Sequence, residues 1–210
     1  MKRSKITILL AIVLGMTFHS CLDLEPQDQL GGKNMWTSVN DYKQFANTFY
    51  SWTRDFSSVV YDGTHSDKRS DLITYQSYNE FSRGINSIPS SDANYTDNYK
   101  HIRRTNLLLQ NAEAYAKPED IKQYIGEAYF FRAYSYFDLL QLYGDVIITK
   151  KPLDITDPEM KVKRNDRSEV VDLIIDDLNH AVENLPAFKE LTTEEEGRIS
   201  KEGAQAFLSR

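Results

Sequence analysis

The spacing of hydrophobic residues changes several times along the chain, and each change predicts a different element. Residues 38–53 carry apolar and aromatic residues three and four positions apart, which is typical of an amphipathic helix. Residues 54–93 show no sustained period and are rich in Ser, Asp and Asn, so they predict loops with short helical pieces. A loop region of that length inside a compact domain is usually functional or disordered.

Helical spacing resumes near Asn94 and predicts four more helices, at 94–115, 118–143, 167–185 and 198–210. The second of these starts at Pro118, which a first helical turn tolerates, and stops at Gly144. Its second half is apolar on nearly all sides, so we expect it to be buried between neighbouring helices.

Turn and capping signals define the boundaries of the later helices. Residues 145–166 form a connector with two prolines and a short extended run at Val146–Thr149. Asp166 is followed three positions later by Glu169, which is the spacing of a capping box. Ser200 is placed to cap the last helix.

The four long helices form two helix–turn–helix pairs, and their alternating Ala and aromatic residues suggest tetratricopeptide-type packing. The sequence therefore predicts an all-α fold of tetratricopeptide-like helical hairpins with an irregular loop insertion. Such units need about three or more neighbours to bury a continuous core. Because the chain stops at Arg210, two turns into an apolar helix, we expect residues 38–210 to be an incomplete, N-terminal portion of a helical domain. The alternative is a short C-terminal helix that docks on the core.

Residues 1–20 have the layout of a bacterial lipoprotein signal peptide. Three basic residues precede the apolar run Ile6–Met16, which is too short to cross the roughly 30 Å of a bilayer's hydrocarbon. Cys21, the only cysteine, follows after the four residues 17–20, the last of which is the small Ser20, and we expect cleavage before Cys21 and lipidation of its thiol. The alternative is an ordinary secreted protein with an unrelated thiol. The polar, acidic residues 21–37 then form a tether.

Charge narrows the range of partners. Removal of residues 1–20 leaves 22 Lys and Arg against 31 Asp and Glu, because the signal peptide holds three basic residues and no acidic one. This acidic balance argues against a nucleic-acid partner and against a polybasic membrane contact. With Cys21 lipidated, no disulfide is possible, so stability has to come from a packed core.

The sequence gives no positive reason to propose catalysis, a metal or a cofactor. It contains no phosphate-binding loop and no nucleophile elbow, and its four histidines are widely scattered. Asp172, Asp176 and Asp177 are predicted to lie on the polar, solvated side of the 167–185 helix, in preference to binding a metal.

Aromatic residues in the irregular region suggest sugar binding. Tyr75, Tyr78 and Phe81 occur together with Asn79 and Glu80. A pyranose ring stacks its apolar face on an aromatic ring, and its hydroxyl groups bond to nearby amides and acids. The alternative is that these rings pin the loop to the helices beneath it. The aromatic residues of the 118–143 helix are predicted to be core, because their helical spacing already explains them.

Several segments also match a family pattern. The longest is Gly126-Glu-Ala-Tyr-Phe-Phe-Arg-Ala-Tyr-Ser-Tyr-Phe-Asp-Leu-Leu-Gln-Leu-Tyr-Gly144-Asp-Val. It resembles the SusD/RagB pattern Gly-Glu-Ala-x-Phe-Leu-Arg-Ala-x-x-Tyr-Phe-x-Leu-x-x-x-Tyr-Gly-x-Val. Four other segments resemble elements of the same family in the same order, namely residues 21–28, 99–106 (Tyr-x-x-Ile-x-x-x-Asn), 167–186 (with Ile-x-x-Asp-Leu) and 197–204 (beginning Gly-Arg).

The resemblance implies an outer-membrane lipoprotein that faces outward and closes over a TonB-dependent, SusC-like transporter. Members capture oligosaccharides such as starch or other glycans, and some capture peptides. They are usually more than twice as long as this chain. No family motif covers Tyr75, Tyr78 or Asn79, so these positions remain a hypothesis for ligand contact. A periplasmic glycan-active enzyme and a purely structural partner of the barrel are the other classes considered.

Overall fold

The structure, a computed structural model, describes residues 35–54, 83–85, 87–154 and 156–210. The expected signal peptide, Cys21 and most of the expected tether lie outside the described residues. Tyr75, Tyr78, Asn79 and most of the irregular 54–93 region also lie outside them.

Five α-helices form in the described residues: α1 (Val39–Asn47), α2 (Ala93–Glu113), α3 (Lys122–Tyr143), α4 (Arg167–Asn184) and α5 (Lys201–Leu208). Short 3-10 helices lie at Thr48–Trp52, Pro118–Ile121, Pro158–Lys161, Phe188–Glu190 and Thr193–Glu195. The all-α prediction is confirmed. The first predicted helix is divided, because its last turns tighten into a 3-10 helix from Thr48 onward.

The predicted helix signals act where the sequence places them. Glu169 reaches back to the backbone N–H of Asp166 at 3.0 Å, as the capping box requires. Ser200 accepts a hydrogen bond from the backbone N–H of Gly203. Gly144 ends α3 with a φ of 69°, in the left-handed region that favours glycine.

Helix α3 lies at the centre of the packing, between α2 on one side and α4 on the other. This position explains why its second half is apolar all round, and Phe131, Tyr136 and Leu139 are fully or almost fully buried. Gly126 marks the tightest approach. A Cβ atom there would lie 2.9 Å from Cγ of Leu185, so only glycine allows this spacing without a shift.

Helix α1 and the 3-10 helix after it cover the other helices with aromatic side chains. Tyr42, Phe45 and Phe49 are all buried. Phe49 contacts Phe131 of α3 with the ring centroids 5.7 Å apart. The first helix therefore completes the core formed by α2 and α3.

The connector between α3 and α4 is extended at its start but is not part of a sheet. It makes one isolated bridge, between Val146 and Asn165. Several of the other backbone groups near its start bond to side chains. The hydroxyl of Tyr136 accepts from the N–H of Thr149 at 2.8 Å, and Asn106 donates to the carbonyls of Thr149 and Lys151.

The prediction that Asp177 lies on the surface is wrong. Asp172 and Asp176 are exposed on α4 as predicted, but Asp177 is fully buried. It faces α3, where Arg132 supplies a cation. Val171 and Ile175, in contrast, belong to the apolar stripe of the sequence and are partly exposed. No helix in the described residues is both long enough and apolar enough to cross a bilayer.

Candidate functional site

Segments that match the family pattern meet through buried charged groups around α3. Arg132 forms a two-pronged ion pair with Asp177 of α4, with N–O distances of 2.8 and 2.6 Å. Its remaining nitrogen donates to the side-chain oxygen of Asn106 on α2 at 2.8 Å. Burial alone would lower the pKa of Arg132, but the hydrogen bonds that it donates to Asp177 raise its pKa, so the guanidinium stays charged.

A second buried pair joins the first and last parts of the described residues to the same helix. Glu127 of α3 is fully buried and accepts two hydrogen bonds from Arg198, at 2.8 and 2.7 Å. Arg198 also donates to Asn47 at the end of α1. Its guanidinium lies over the rings of Tyr50 and Tyr124.

These contacts give the family pattern a structural meaning. The Arg and Glu of the 126–146 segment bind the Asp, Asn and Arg of the other matching segments, and they do so inside the protein. Buried charges of this kind need a partner, and each of these has one. The matching residues therefore fix how the helices pack, and a ligand site has to be sought elsewhere.

A small cleft opens where the first 3-10 helix meets α2 and α3, and we call it the Trp52 cleft. Its volume is about 180 Å3. It is lined by Trp52, Ala93, Asn94, Asp97, Asn98, His101, Tyr134 and Asp138. It lies beside both borders of the irregular 54–93 region, because Trp52 is two positions before the first residue of that region and Asn94 directly follows its last.

The aromatic part of the cleft is a stack of two rings. Trp52 lies parallel to His101 with the centroids 4.1 Å apart and an angle of 14° between the planes. The ring of Phe49 lies 4.8 Å from Trp52, tilted by 35°. Because rings already lie against the indole, the cleft offers hydrogen-bonding groups rather than a free aromatic face.

The polar part of the cleft combines amides and carboxylates. Asp138 forms an ion pair with Arg54, and Asn98 donates to the backbone carbonyl of Asn94 at 2.8 Å. Asp97 is half exposed, and its carboxylate oxygen lies 2.7 Å from the Nζ atom of Lys100.

The imidazole of His101 is uncharged at neutral pH. Its burial beside Trp52 lowers its pKa from 6.5 to about 4; Asp97 acts in the opposite direction, while Arg104 and Lys100 add to the lowering. The cleft thus presents carboxylate and amide oxygens, amide N–H groups and a neutral imidazole. These groups suit a ligand with many hydroxyl groups.

The cleft is smaller than the roughly 300–1,000 Å3 of typical small-molecule pockets. It has room for one unit or one edge of a ligand only. Three or more metal-binding side chains do not come together anywhere in the described part of the chain.

The sequence predicted ligand contacts at Tyr75, Tyr78 and Asn79, which lie outside the described residues, and it did not single out Trp52 or His101. The sequence signal for Trp52 was its position, at the last apolar turn before the irregular region begins. Nothing in the sequence pairs it with His101, because the two residues lie far apart on different helices.

Together, these helices and contacts define a tetratricopeptide-like helical scaffold whose charged pattern residues serve packing. A family model named SusD-like and described as "starch-binding associating with outer membrane" matches residues 22–210. The chain therefore belongs to this SusD-like family.

Curated relatives agree with this assignment. A SusD-like protein of Formosa agariphila is 28% identical in an alignment that covers 88% of this chain and 38% of the relative. A second SusD-like protein of the same organism is 27% identical and is matched over 39% of its length. The chain thus spans less than two fifths of the length of these relatives.

Solved structures show the same fold. A SusD-like protein of Bacteroides fragilis is 27% identical with a TM-score of 0.70, over 89% of this chain and 37% of that protein. A laminarin-binding SusD-like protein is 29% identical with a TM-score of 0.54, over 61% of this chain and 27% of that protein.

Proposed function

We propose that this chain belongs to a non-catalytic, glycan-binding lipoprotein of the outer membrane that hands an oligosaccharide to a TonB-dependent, SusC-like transporter. The observation that carries the proposal is the family match across residues 22–210. The laminarin binding of one structural relative supports a polysaccharide as the ligand class.

The Trp52 cleft supplies a physical basis for part of the binding. Asp97, Asn94 and Asn98 present oxygens and N–H groups that can bond to adjacent hydroxyls of a sugar ring. The neutral His101 and the edge of Trp52 add uncharged surface. Contacts from Tyr75, Tyr78 and Asn79 remain part of the proposal, since the cleft lies at the borders of the region that contains them.

The anchor is the second part of the proposal. Lipid on Cys21 would hold the protein at the outer membrane, facing outward beside its transporter. The signal-peptide pattern of residues 1–21 supports export and lipidation, and the family description associates its members with the outer membrane.

Binding by the full-length protein tests the ligand class. Isothermal titration calorimetry with starch, laminarin and a panel of short peptides should give heat of binding with at least one polysaccharide. Asp97→Asn should weaken that binding by about tenfold, because a hydrogen bond to a charged group is worth roughly 1.5–3 kcal/mol. Asp172→Asn is the matched control, since Asp172 is an exposed carboxylate on α4.

Two results would contradict the proposal. Binding of peptides without binding of any glycan would place the chain among peptide-capturing members, and turnover of a glycan would favour an enzyme.

Co-purification from detergent-solubilised outer membranes tests the transporter. After a mild salt wash, a TonB-dependent β-barrel protein should be recovered together with the wild-type protein, in an amount equal to it.

A further inference from the structure

A second and larger cavity lies on the opposite side of α2 from the Trp52 cleft. The helix turns by about 100° per residue, so Asp97 and His101 face one side while Tyr95, Tyr99 and Arg103 face the other. The second cavity has a volume of about 460 Å3, which falls within the usual range for small-molecule sites. We call it the tyrosine cavity.

The walls of the tyrosine cavity are held in place by hydrogen bonds. One wall is α2, and the other is the extended start of the connector, from Ile147 to Leu153. The hydroxyl of Tyr99 donates to the carbonyl of Ile147 at 2.8 Å and accepts from its N–H at 2.9 Å. Arg103 donates to the carbonyl of Leu153 at 3.2 Å. The cavity is therefore a built feature of the fold.

The floor is aromatic and the rim is mainly cationic. The rings of Tyr95 and Tyr99 lie 4.8 Å apart and are both only partly buried. Lys100, Arg103 and Lys151 line the rim. Among the described lining residues, only Glu159 carries a negative charge.

This local charge is opposite to that of the chain. The two wall segments, residues 95–104 and 147–153, contain five Lys and Arg against one acidic residue, Asp97. The whole chain contains 25 Lys and Arg against 31 Asp and Glu. The cavity thus lies in a basic region of an acidic protein, which favours an anionic ligand.

The carboxylates that now face the rim cations are weakly held. Arg103 and Asp154 lie 3.4 Å apart, with side chains 51% and 80% exposed. Lys151 and Glu159 lie 2.6 Å apart and are also about half exposed. Exposed pairs of this kind add little to stability, because water and salt screen them. An anionic group of a ligand can therefore replace either carboxylate.

We propose that the tyrosine cavity is a second binding site, for a sugar unit that carries a carboxylate or a sulfate group. Tyr95 and Tyr99 would contact the C–H face of the ring, while Arg103 and Lys151 bind its anionic group. The proposal takes the glycan class from the proposed function, but the site and the charge preference are independent of the Trp52 cleft.

Three matched trisaccharides test the charge preference with the full chain: galactotriose, its 6-O-sulfated form and trigalacturonate. By calorimetry in 50 mM NaCl, at least one anionic trisaccharide should bind tenfold or more tightly than galactotriose. The affinity should fall in 500 mM NaCl, because salt screens the charges. The sulfated and uronate arms identify which anionic group the cavity prefers.

Two single substitutions test the location. Arg103→Gln and Lys151→Gln should each weaken anionic binding by about tenfold, as expected for loss of one charge-assisted hydrogen bond. Lys122→Gln is the matched control, because Lys122 is an exposed cation at the start of α3, paired with Glu119 and outside both cavities. Melting temperatures check that all three variants are folded.

Equal affinity for the three trisaccharides, or absence of binding by both anionic ones, would overturn the proposal. Unchanged affinity for the anionic trisaccharide in both single variants, Arg103→Gln and Lys151→Gln, would also overturn it. Binding of starch or laminarin that persists in these cases would leave the proposed function standing. Weakening by Asp97→Asn instead would assign the anionic sugar to the Trp52 cleft and also overturn the proposal.

Discussion

Replacement of Asp177 by Asn should destabilise the protein by about 3 kcal/mol, because it removes the counter-charge of a buried guanidinium. Asp177 is fully buried and Arg132 is 5% exposed, so water cannot take over the lost interaction. Breaking a buried pair in this way costs roughly 3–5 kcal/mol. We expect the lower end of that range, since Asn106 still accepts one hydrogen bond from Arg132.

Removal of both charges should cost less than removal of one. In the double variant Arg132→Met, Asp177→Leu, no buried charge remains, and the apolar side chains can fill much of the space. The side-chain oxygen of Asn106 then loses its donor, which costs about 1–3 kcal/mol for a buried acceptor. We therefore expect the double variant to lose about 1–2 kcal/mol, less than Asp177→Asn alone.

Urea unfolding at pH 7, followed by far-UV circular dichroism, measures these differences as shifts of the midpoint at constant slope. Asp176→Asn is the matched control. It changes the neighbouring residue, whose side chain is 57% exposed, and should alter stability by less than about 0.5 kcal/mol. The reasoning would be refuted if Asp177→Asn behaved like Asp176→Asn, or if the double variant were less stable than the single one.

Three further predictions concern packing, pH and the anchor. Gly126→Ala should lower the urea midpoint, because crowding of the new methyl group against Leu185 costs roughly 1–3 kcal/mol. Alanine stabilises a helix interior relative to glycine by only about 0.5–1 kcal/mol. A raised midpoint would contradict the close approach of Gly126 to Leu185. Wild-type stability should fall as pH drops from 6.5 to 4, because the fold favours neutral His101. When urea unfolding is measured at both pH values, the fall in stability of His101→Phe should be smaller than that of the wild type by about 1–2 kcal/mol, a modest difference because the ring is partly exposed. An equal fall in the two proteins would refute this prediction. Cys21→Ala should abolish radiolabelled-palmitate incorporation, and continued labelling would disprove the anchor.

The helices were predictable because local signals and packing agree. Capping residues such as Ser200 and Asp166 act through atoms only a few positions away, so the sequence alone contains the information. The burial of α3 was also predictable, because a helix that is apolar on all sides has to be covered on all sides.

The polar interior was not predictable in the same way. Asp177 occupies a position that looks solvated on its own helix, and its burial depends on Arg132, which lies on a different helix. The same reason applies to the Trp52 cleft. Trp52 and His101 each look ordinary in the sequence, and only the packing of α2 against the first 3-10 helix makes them a stack.

The two ends of the described domain are joined by Arg198. Asn47, at the end of α1, accepts a hydrogen bond from Arg198, 151 positions further along, and the hydroxyl of Tyr50 bonds to the backbone N–H of Ile199. The chain emerges from its N-terminus onward, so α1 appears well before these partners. Until these partners follow, Asn47 and Tyr50 lack the hydrogen bonds that hold the end of α1 and the 3-10 helix after it. The end of the first described helix is thus among the last parts to be fixed in place.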